Sequence, residues 1–374
     1  MKDCIRIGLC GFGFMGKTHL YALSNLPFFY DLPYRAEVVG VCTAHRESAV
    51  SASDLFGIRK VYSNEEELIS DRDIDVVDIC TPNSCHFGTA RQAVLAGKHV
   101  LCEKPLTPSA EESRELADLA AVSGKTCGLV FNNRFLSPVL RARQLAESGR
   151  LGRILSFDFA YRHNSCIDPE RSVGWKQRAE FGGGTLADLG PHVLDLCRLL
   201  CGEIASVIGK SQIAFQTHGN SGNKWITDAD EAFYITATTA SGAVGTITVS
   251  KLTQGVNDDL SFSVYGTKGS VRFDLMQPNY LYFYDAANEG TPHGGVRGFT
   301  RIECVGRFDG AALPFPSPKA PVGWLRGHIG SMENYLSAVH AHRPADPSFG
   351  DGAAVDRIID AARRSALEGR EVSV

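Results

Sequence analysis

The sequence predicts a two-part α/β chain: a doubly wound parallel sheet first, then an α+β region on an open, mostly antiparallel sheet. Three observations predict it. Short apolar runs alternate with longer amphipathic segments over the first third of the chain, the rhythm of βαβ units. A glycine-rich turn follows the first apolar run and opens a helix. After about Asn132 the rhythm changes to β-branched and aromatic runs with few helices between them.

In order, Ile5–Cys10 reads as a strand, Gly11–Gly16 as the turn, and the following helix runs to about Ser24. Glu37–Cys42 is a second strand, then a helix over Arg46–Phe56, a short strand at Lys60–Tyr62 and a helix near Glu65–Ile69. Val76–Cys80, His99–Cys102 and Thr126–Val130 are buried strands, separated by helices near Gly88–Ala96 and Ala110–Val122. In the second part the strands are Leu155–Tyr161, Ile204–Phe215, Glu231–Thr239, Gly245–Ser250, Ser261–Tyr265 and Ser270–Asp274. Thr185–Leu200 is its clear helix, and 286–323, rich in Gly and Pro, reads as a long surface excursion or lid. Helices around Trp324–His340 and Asp351–Leu367 close the chain.

At 374 residues the chain exceeds what one core supports, so two domains are expected, 1–131 and 132–374, with the C-terminal helices able to pack back on the first. Hydrophobic residues at 44% and charged residues at 21% describe an ordinary globular protein. A formal net charge of −4 supplies no basic field for nucleic acid or an anionic membrane. The eleven cysteines are scattered without a C-x-x-C pair and read as reduced, mostly buried thiols. Met1-Lys2-Asp3-Cys4 enters a strand at once without a signal-peptide layout, and no apolar stretch nears the ~20 residues of a membrane helix. The expectation is a cytoplasmic protein.

Gly11-Phe12-Gly13-Phe14-Met15-Gly16 stands between strand and helix, the context of a dinucleotide turn. Gly13 lets a pyrophosphate approach the backbone, Gly16 lets helix and strand pack, and the helix N-terminus offers free N–H groups. The same string, with Lys17-Thr18, also fits a triphosphate loop, supported by the acid-terminated strand Asp75-Val76-Val77-Asp78. The local string leaves both open; the antiparallel second half and the motifs below favour the dinucleotide. After the second strand, Cys42-Thr43-Ala44-His45-Arg46 lacks the carboxylate that would bind a ribose 2′-hydroxyl. Thr43 with Arg46 suits a 2′-phosphate, so the cofactor reading leans to NADP over NAD; Arg46 as a plain solvated residue is the competing reading.

The strand at His99–Cys102 ends in Glu103-Lys104-Pro105, and ligands of an open parallel sheet sit outside such ends. Lys104 could orient a hydroxyl or share its proton; a lone surface lysine is the plain alternative. Thr81-Pro82-Asn83-Ser84-Cys85-His86 leaves a neighbouring strand end and can line the same cleft. In Gly182-Gly183-Gly184-Thr185-Leu186-Ala187-Asp188-Leu189-Gly190-Pro191-His192, Asp188 and His192 stand i, i+4 and share a helix face. A carboxylate beside an imidazole makes His192 a credible proton acceptor; Pro191 argues for a bent or late-starting helix. No His/Cys cluster has metal-ligand spacing, so no metal is expected.

Taken in order, Gly11-x-Gly13-x-x-Gly16, Thr81-Pro82-Asn83-x-x-His86, Glu103-Lys104-Pro105, Asn132-Asn133-Arg134-Phe135 and Asp188-x-Gly190-x-His192-x-x-Asp195 resemble the Gfo/Idh/MocA family of glucose–fructose and inositol-type oxidoreductases. The resemblance implies an N-terminal Rossmann domain, a C-terminal α+β domain with a large open sheet, and pairing into homodimers or homotetramers. It implies hydride transfer between NAD(P) and a carbinol of a sugar or cyclic polyol, or, as the alternative, action on a sugar nucleotide or amino sugar, or a non-catalytic cofactor-binding sensor. Lys104, Asp188 and His192 take the family's catalytic positions. The cofactor set it implies is Gly11, Gly13, Phe14, Met15, Gly16, Thr43, Arg46, Thr81, Pro82, Asn83, His86, Glu103, Lys104 and Asn132. Substrate contacts fall to Arg134, Tyr161, Arg162, His163 and Trp175 beside the catalytic trio, with Asp168 on the same loop. The segment Leu26–Arg35 is expected to lengthen the first crossover.

Overall fold

A computed structural model describes residues 3–171, 174–220, 222, 224–305 and 323–374. The chain divides into two compact units, the first holding 3–132 with 325–356, the second 133–305, 323–324 and 357–374.

The first unit contains β1 (Asp3–Cys10), α1 (Phe14–Phe29), β2 (Tyr34–Cys42), α2 (Arg46–Phe56), β3 (Lys60–Val61), α3 (Glu65–Ser70), β4 (Val76–Ile79), α4 (His86–Leu95), β5 (His99–Cys102), α5 (Ala110–Ser123) and β6 (Cys127–Leu129). Its six strands are all parallel, in the order β3-β2-β1-β4-β5-β6. That order reverses between β1 and β4, and the crevice at such a reversal is where doubly wound sheets take ligands. The inner strands are apolar because helices cover both faces: every residue of β4 is buried. Local signals agree with the packing. Asn64 caps α3 by accepting Glu67 N–H, Ser109 caps α5 through Glu112 N–H, and Gly124 ends α5 at φ 67°.

The first crossover is not the long loop expected over Leu26–Arg35. α1 continues through Pro27 to Phe29, and β2 starts at Tyr34. The cause is apolar burial: Leu26, Tyr30 and Tyr34 join a core with Ile5, Ile7 and Leu23. The Arg326 guanidinium, on a later helix, covers the Phe29 ring at 5.0 Å and receives a closing contact from Tyr30, whose hydroxyl accepts from Arg326 Nη1 at 2.9 Å.

The second unit begins with α6 (Ser137–Glu147), β7 (Ile154–Arg162), α7 (Thr185–Cys201), β8 (Ile204–Gln212), the small hairpin of β9 (Thr217–His218) and β10 (Trp225–Ile226), and β11 (Ala232–Thr239). β12 (Val244–Ser250), β13 (Asp259–Gly266), β14 (Gly269–Asp274), β15 (Tyr280–Asp285) and β16 (Thr300–Glu303) follow. After them come α8 (Trp324–His340), α9 (Phe349–Glu368) and β17 (Val372–Ser373). From Leu325 onward α8 belongs to the first unit, where Ile329, Met332, Tyr335, Leu336 and Val339 complete the core described above.

Nine strands form one sheet in the order β16-β15-β14-β13-β7-β12-β11-β8-β17. β12 runs parallel to β7, and the other pairings among the described residues are antiparallel. α7 packs on one face, against β7, β11, β12 and β13. The excursion expected over 286–323 is partly a strand: Thr300–Glu303 extends the sheet beside the aromatic-rich β15, whose Tyr-Leu-Tyr-Phe-Tyr run carried the signal. Residues 306–322 lie outside the described residues.

Candidate active site

The three glycines of the turn do three different things. Gly11 takes φ +92°, and a Cβ there would stand 2.5 Å from Cys80 O. A Cβ on Gly16 would stand 2.3 Å from Gly11 O, so only glycine lets α1 close on β1. A Cβ on Gly13 meets nothing within 4 Å: this residue faces open space at the N-cap of α1, with no side chain capping the helix N–H groups. Such a helix end attracts a diphosphate. Phe14 is exposed and Met15 half-buried beside it. The triphosphate reading loses its parts here. Thr18 Oγ1 donates back to Phe14 O at 3.0 Å, Lys17 Nζ lies 5.9 Å from the Phe12 ring centroid, and the acids Asp75 and Asp78 are engaged by Arg6 and His19.

At the end of β2, Thr43 Oγ1 donates to His45 O at 2.7 Å and Arg46 Nη1 to Ser63 Oγ at 3.3 Å, both at the surface. Pro82 precedes a one-turn 3-10 helix at Asn83–Cys85, with Asn83 buried. His86, expected at the cofactor, has a different task. Its ring is fully buried between two carbonyls, Nδ1 2.9 Å from Pro105 O and Nε2 3.1 Å from Thr81 O. Burial lowers its pKa against the upward pull of the two carbonyls, and the ring packs between the two strand-end turns, donating to one of these carbonyls when neutral. Glu103 is likewise buried: Oε1 meets His19 Nε2 at 3.0 Å, and Oε2 accepts Lys104 N–H at 3.2 Å. Lys104 follows it, half-buried, and Asn132 is buried at the end of this unit.

In the second unit, α7 runs from Thr185 through Pro191 to Cys201, so it is not the late-starting helix expected. Its burial explains this: most of its residues are enclosed, so packing outweighs the hydrogen bond lost at proline. Asp188 and His192 are half-buried and share one face of it. The glycine triplet before it is a fold-back. Gly183 N–H and Gly184 N–H donate to Arg178 O and Lys176 O, a Cβ on Gly183 would stand 2.6 Å from Lys176 O, and Gly184 takes φ +112°. This closure delivers Lys176, whose Nζ lies 2.9 Å from Asp188 Oδ1. Lys251, buried just after β12, places Nζ 2.8 Å from Asp188 Oδ2. Asp188 is therefore an ionised carboxylate held between two ammonium groups, neither of which the sequence reading singled out. Asp230 caps the helix, its Oδ2 accepting Leu186 N–H at 2.7 Å while burial raises its pKa.

The Tyr161 and His192 rings meet edge to face, centroids 5.8 Å apart. Tyr161 donates its hydroxyl to Asp258 Oδ1 at 2.8 Å, and His163 Nε2 lies 2.9 Å from the same oxygen. Burial first, then Asp258, pushes the Tyr161 phenol well above its ordinary range, so it stays protonated. Burial would raise Asp258, but His163 and Tyr161 outweigh it and hold the carboxyl low. Arg162 is not with them: strand alternation turns it to the other face, where Nη1 lies 3.6 Å from Asp259. Trp175 is half-buried on a short 3-10 turn, with Lys176 Nζ 5.8 Å from its ring centroid. Exposed Asp168 accepts Glu170 N–H in its own turn.

Arg134 also departs from its expected place at the substrate. It is buried, and its guanidinium forks onto Asp195, Nε to Oδ2 at 2.8 Å and Nη2 to Oδ1 at 2.5 Å. Breaking a buried pair strands a charge. Asp195→Ala is accordingly expected to lose about 3–5 kcal/mol of stability, read as a lowered urea midpoint of the second unit's unfolding; an unchanged midpoint would refute the pairing.

Comparison with known proteins adds the following. A model described as oxidoreductase family, NAD-binding Rossmann fold, matches residues 5–131, and one for the GFO/IDH/MocA C-terminal domain matches 139–272. Levoglucosan dehydrogenase of Pseudarthrobacter phenanthrenivorans is 32% identical, over 99% of this chain and 98% of that protein. Inositol 2-dehydrogenase of Rhizobium meliloti is 28% identical, over 99% of both. A solved structure of levoglucosan dehydrogenase in complex with NADH and levoglucosan superposes with a TM-score of 0.93 at 31% identity, covering 100% of this chain and 99% of that one. Among the described residues no helix is long and apolar enough to cross a membrane.

Proposed function

Because the chain belongs to the GFO/IDH/MocA family of NAD-binding oxidoreductases, we propose that it oxidises a ring carbinol of an uncharged sugar or cyclic polyol. The nicotinamide, when bound, takes the hydride. The turn Gly11–Gly16 fits a dinucleotide, since Gly13 leaves open the space a Cβ would fill above uncapped helix N–H groups. The domain 1–131 holds the dinucleotide, with Thr81, Pro82, Asn83 and Asn132 shaping its site; 132–374 serves substrate and self-association, as a homodimer or homotetramer through the outer face of the nine-stranded sheet. His192 takes the hydroxyl proton, Asp188 supports the resulting imidazolium, and Lys104 positions or shares that proton. Tyr161, His163 and Trp175 orient the ring by stacking and hydrogen bonds.

The observation that carries the uncharged substrate is the state of the cations in the second unit. Lys176 and Lys251 each already hold one oxygen of Asp188, an arrangement that supports hydroxyls as ligands more than a phosphate. The two relatives matched over 99% of this chain and named for uncharged substrates support the same class, while a relative matched over 51% of it is named a glucose-6-phosphate 3-dehydrogenase. For the dinucleotide, the missing carboxylate after β2 and the exposed Arg46 support acceptance of NADP, favoured over NAD, although the superposed relative holds NADH.

Absorbance assays with both dinucleotides test this. Levoglucosan, inositols and free aldoses should turn over with kcat/KM about a hundredfold above sugar phosphates and sugar nucleotides. Arg46→Ala should lower kcat/KM for NADP about tenfold and leave that for NAD unchanged. Preference for a phosphorylated or nucleotide-linked sugar would overturn the substrate class, and an Arg46→Ala variant unaltered with NADP would overturn the lean.

A further inference from the structure

A buried chain of charge lies beneath the strand ends of the first unit. His19, on α1 one turn past Gly16, is fully buried. Its Nδ1 lies 3.0 Å from both oxygens of Asp78 on β4, and its Nε2 3.0 Å from Glu103 Oε1. Glu103 Oε2 in turn accepts the backbone N–H of Lys104. Three buried ionisable groups in series are costly to fold compared with apolar side chains of the same volume, so their arrangement calls for a reason. A metal is a poor one. His19 Nδ1 stands 3.0 Å from Asp78 and 3.1 Å from Cys80 Sγ, closer than the roughly 3.3 Å or more separating ligands on one zinc ion, and the second nitrogen is engaged by Glu103.

We infer that Asp78, His19 and Glu103 are positioning residues for Lys104: the imidazolium locks the Glu103 carboxylate, and that carboxylate fixes the backbone and the electrostatic setting of the lysine. The inference rests on the proposed role of Lys104. The groups facing the chain from its neighbours leave the charges simple. Cys10 is a thiol raised by its hydrogen bond with Cys42 and then by burial, Cys80 and Cys102 are thiols raised by burial, Tyr335 a phenol raised by burial, and His86 and His328 imidazoles lowered by burial, the latter to about 3. All six are neutral near pH 7. Burial alone would discharge His19, yet Asp78 above all holds its pKa well above the ordinary value. Burial would raise Glu103, yet His19 and then Lys104 hold it at about 2. Two carboxylates and one imidazolium leave one net negative charge beside the Lys104 ammonium, which favours the protonated lysine.

Glu103→Gln keeps the shape and removes that charge. The alkaline limb of kcat against pH should then fall by about one unit, with kcat down at least about tenfold and NADH affinity within threefold. His19→Gln should lower kcat similarly, again with NADH affinity nearly intact, and the double variant should be no worse than the worse single, since both act through one carboxylate. A role confined to holding α1 would instead weaken NADH binding in step with kcat, and an unmoved pH limb or multiplicative losses would equally overturn the inference. If Lys104→Ala retains turnover, the catalytic reading itself fails, a separate result. Should the His19 variant not fold, imidazole nitrogen NMR on the unaltered protein decides: His19 must carry both protons at pH 8, and a neutral ring there sinks the proposal.

Discussion

His192→Ala is expected to lower kcat by about a thousandfold while NADH binds within threefold of its normal affinity. The ring is half-buried on α7 against the Tyr161 ring, and alanine removes the proton acceptor without disturbing a helix it favours. The residues proposed to hold the dinucleotide are on other elements, so affinity should survive. Lys104→Ala should fall into the same class, losing turnover and keeping the cofactor. Steady-state rates with a fluorescence titration of NADH separate the two quantities. Either variant turning over normally would remove that residue from the chemistry.

The second large effect is on binding. Gly13→Val should weaken NADH by about a hundredfold yet leave the melting temperature within a few degrees. Gly13 has φ −76° and open space where a side chain would go, so the ligand-free fold tolerates valine at a cap cost of about 1 kcal/mol. A pyrophosphate seated on that backbone would meet the new methyl groups. Gly16→Val inverts the pattern, because its Cβ would press on Gly11 O at 2.3 Å, and the loss should be in folding itself. Titration of NADH together with a thermal melt distinguishes them; undiminished binding by Gly13→Val would show that the turn is no phosphate cradle.

Why some of this was legible in the sequence and some was not follows from what a motif records. The glycine turn was legible because strand, glycine spacing and helix are local, and the parallel first sheet because each βαβ unit repeats the same alternation. Membership in a motif does not say whether a side chain meets a ligand or folds the loop that does. His86 and Arg134 belong to recognisable strings, yet one bridges two backbone carbonyls and the other answers a buried carboxylate. Asp258 and Lys251 were invisible for the opposite reason. They are far in sequence from Tyr161 and Asp188, in a region without a motif, and only the register of β7, β12 and β13 brings them together. Asp230 was equally invisible, since nothing local said it would cap a helix over forty residues away.

The fold-back of the glycine triplet has a bearing on how this scaffold can be altered. Residues 174–181 present Trp175 to the surroundings, but the same short backbone delivers the Lys176 ammonium to Asp188. Remodelling that stretch to admit a different sugar would therefore disturb a carboxylate it does not contain. His163, just past β7, is tied to Asp258 instead and can be varied without that side effect, whereas Tyr161 also packs against His192; a directed search for new substrates would do better to begin at His163.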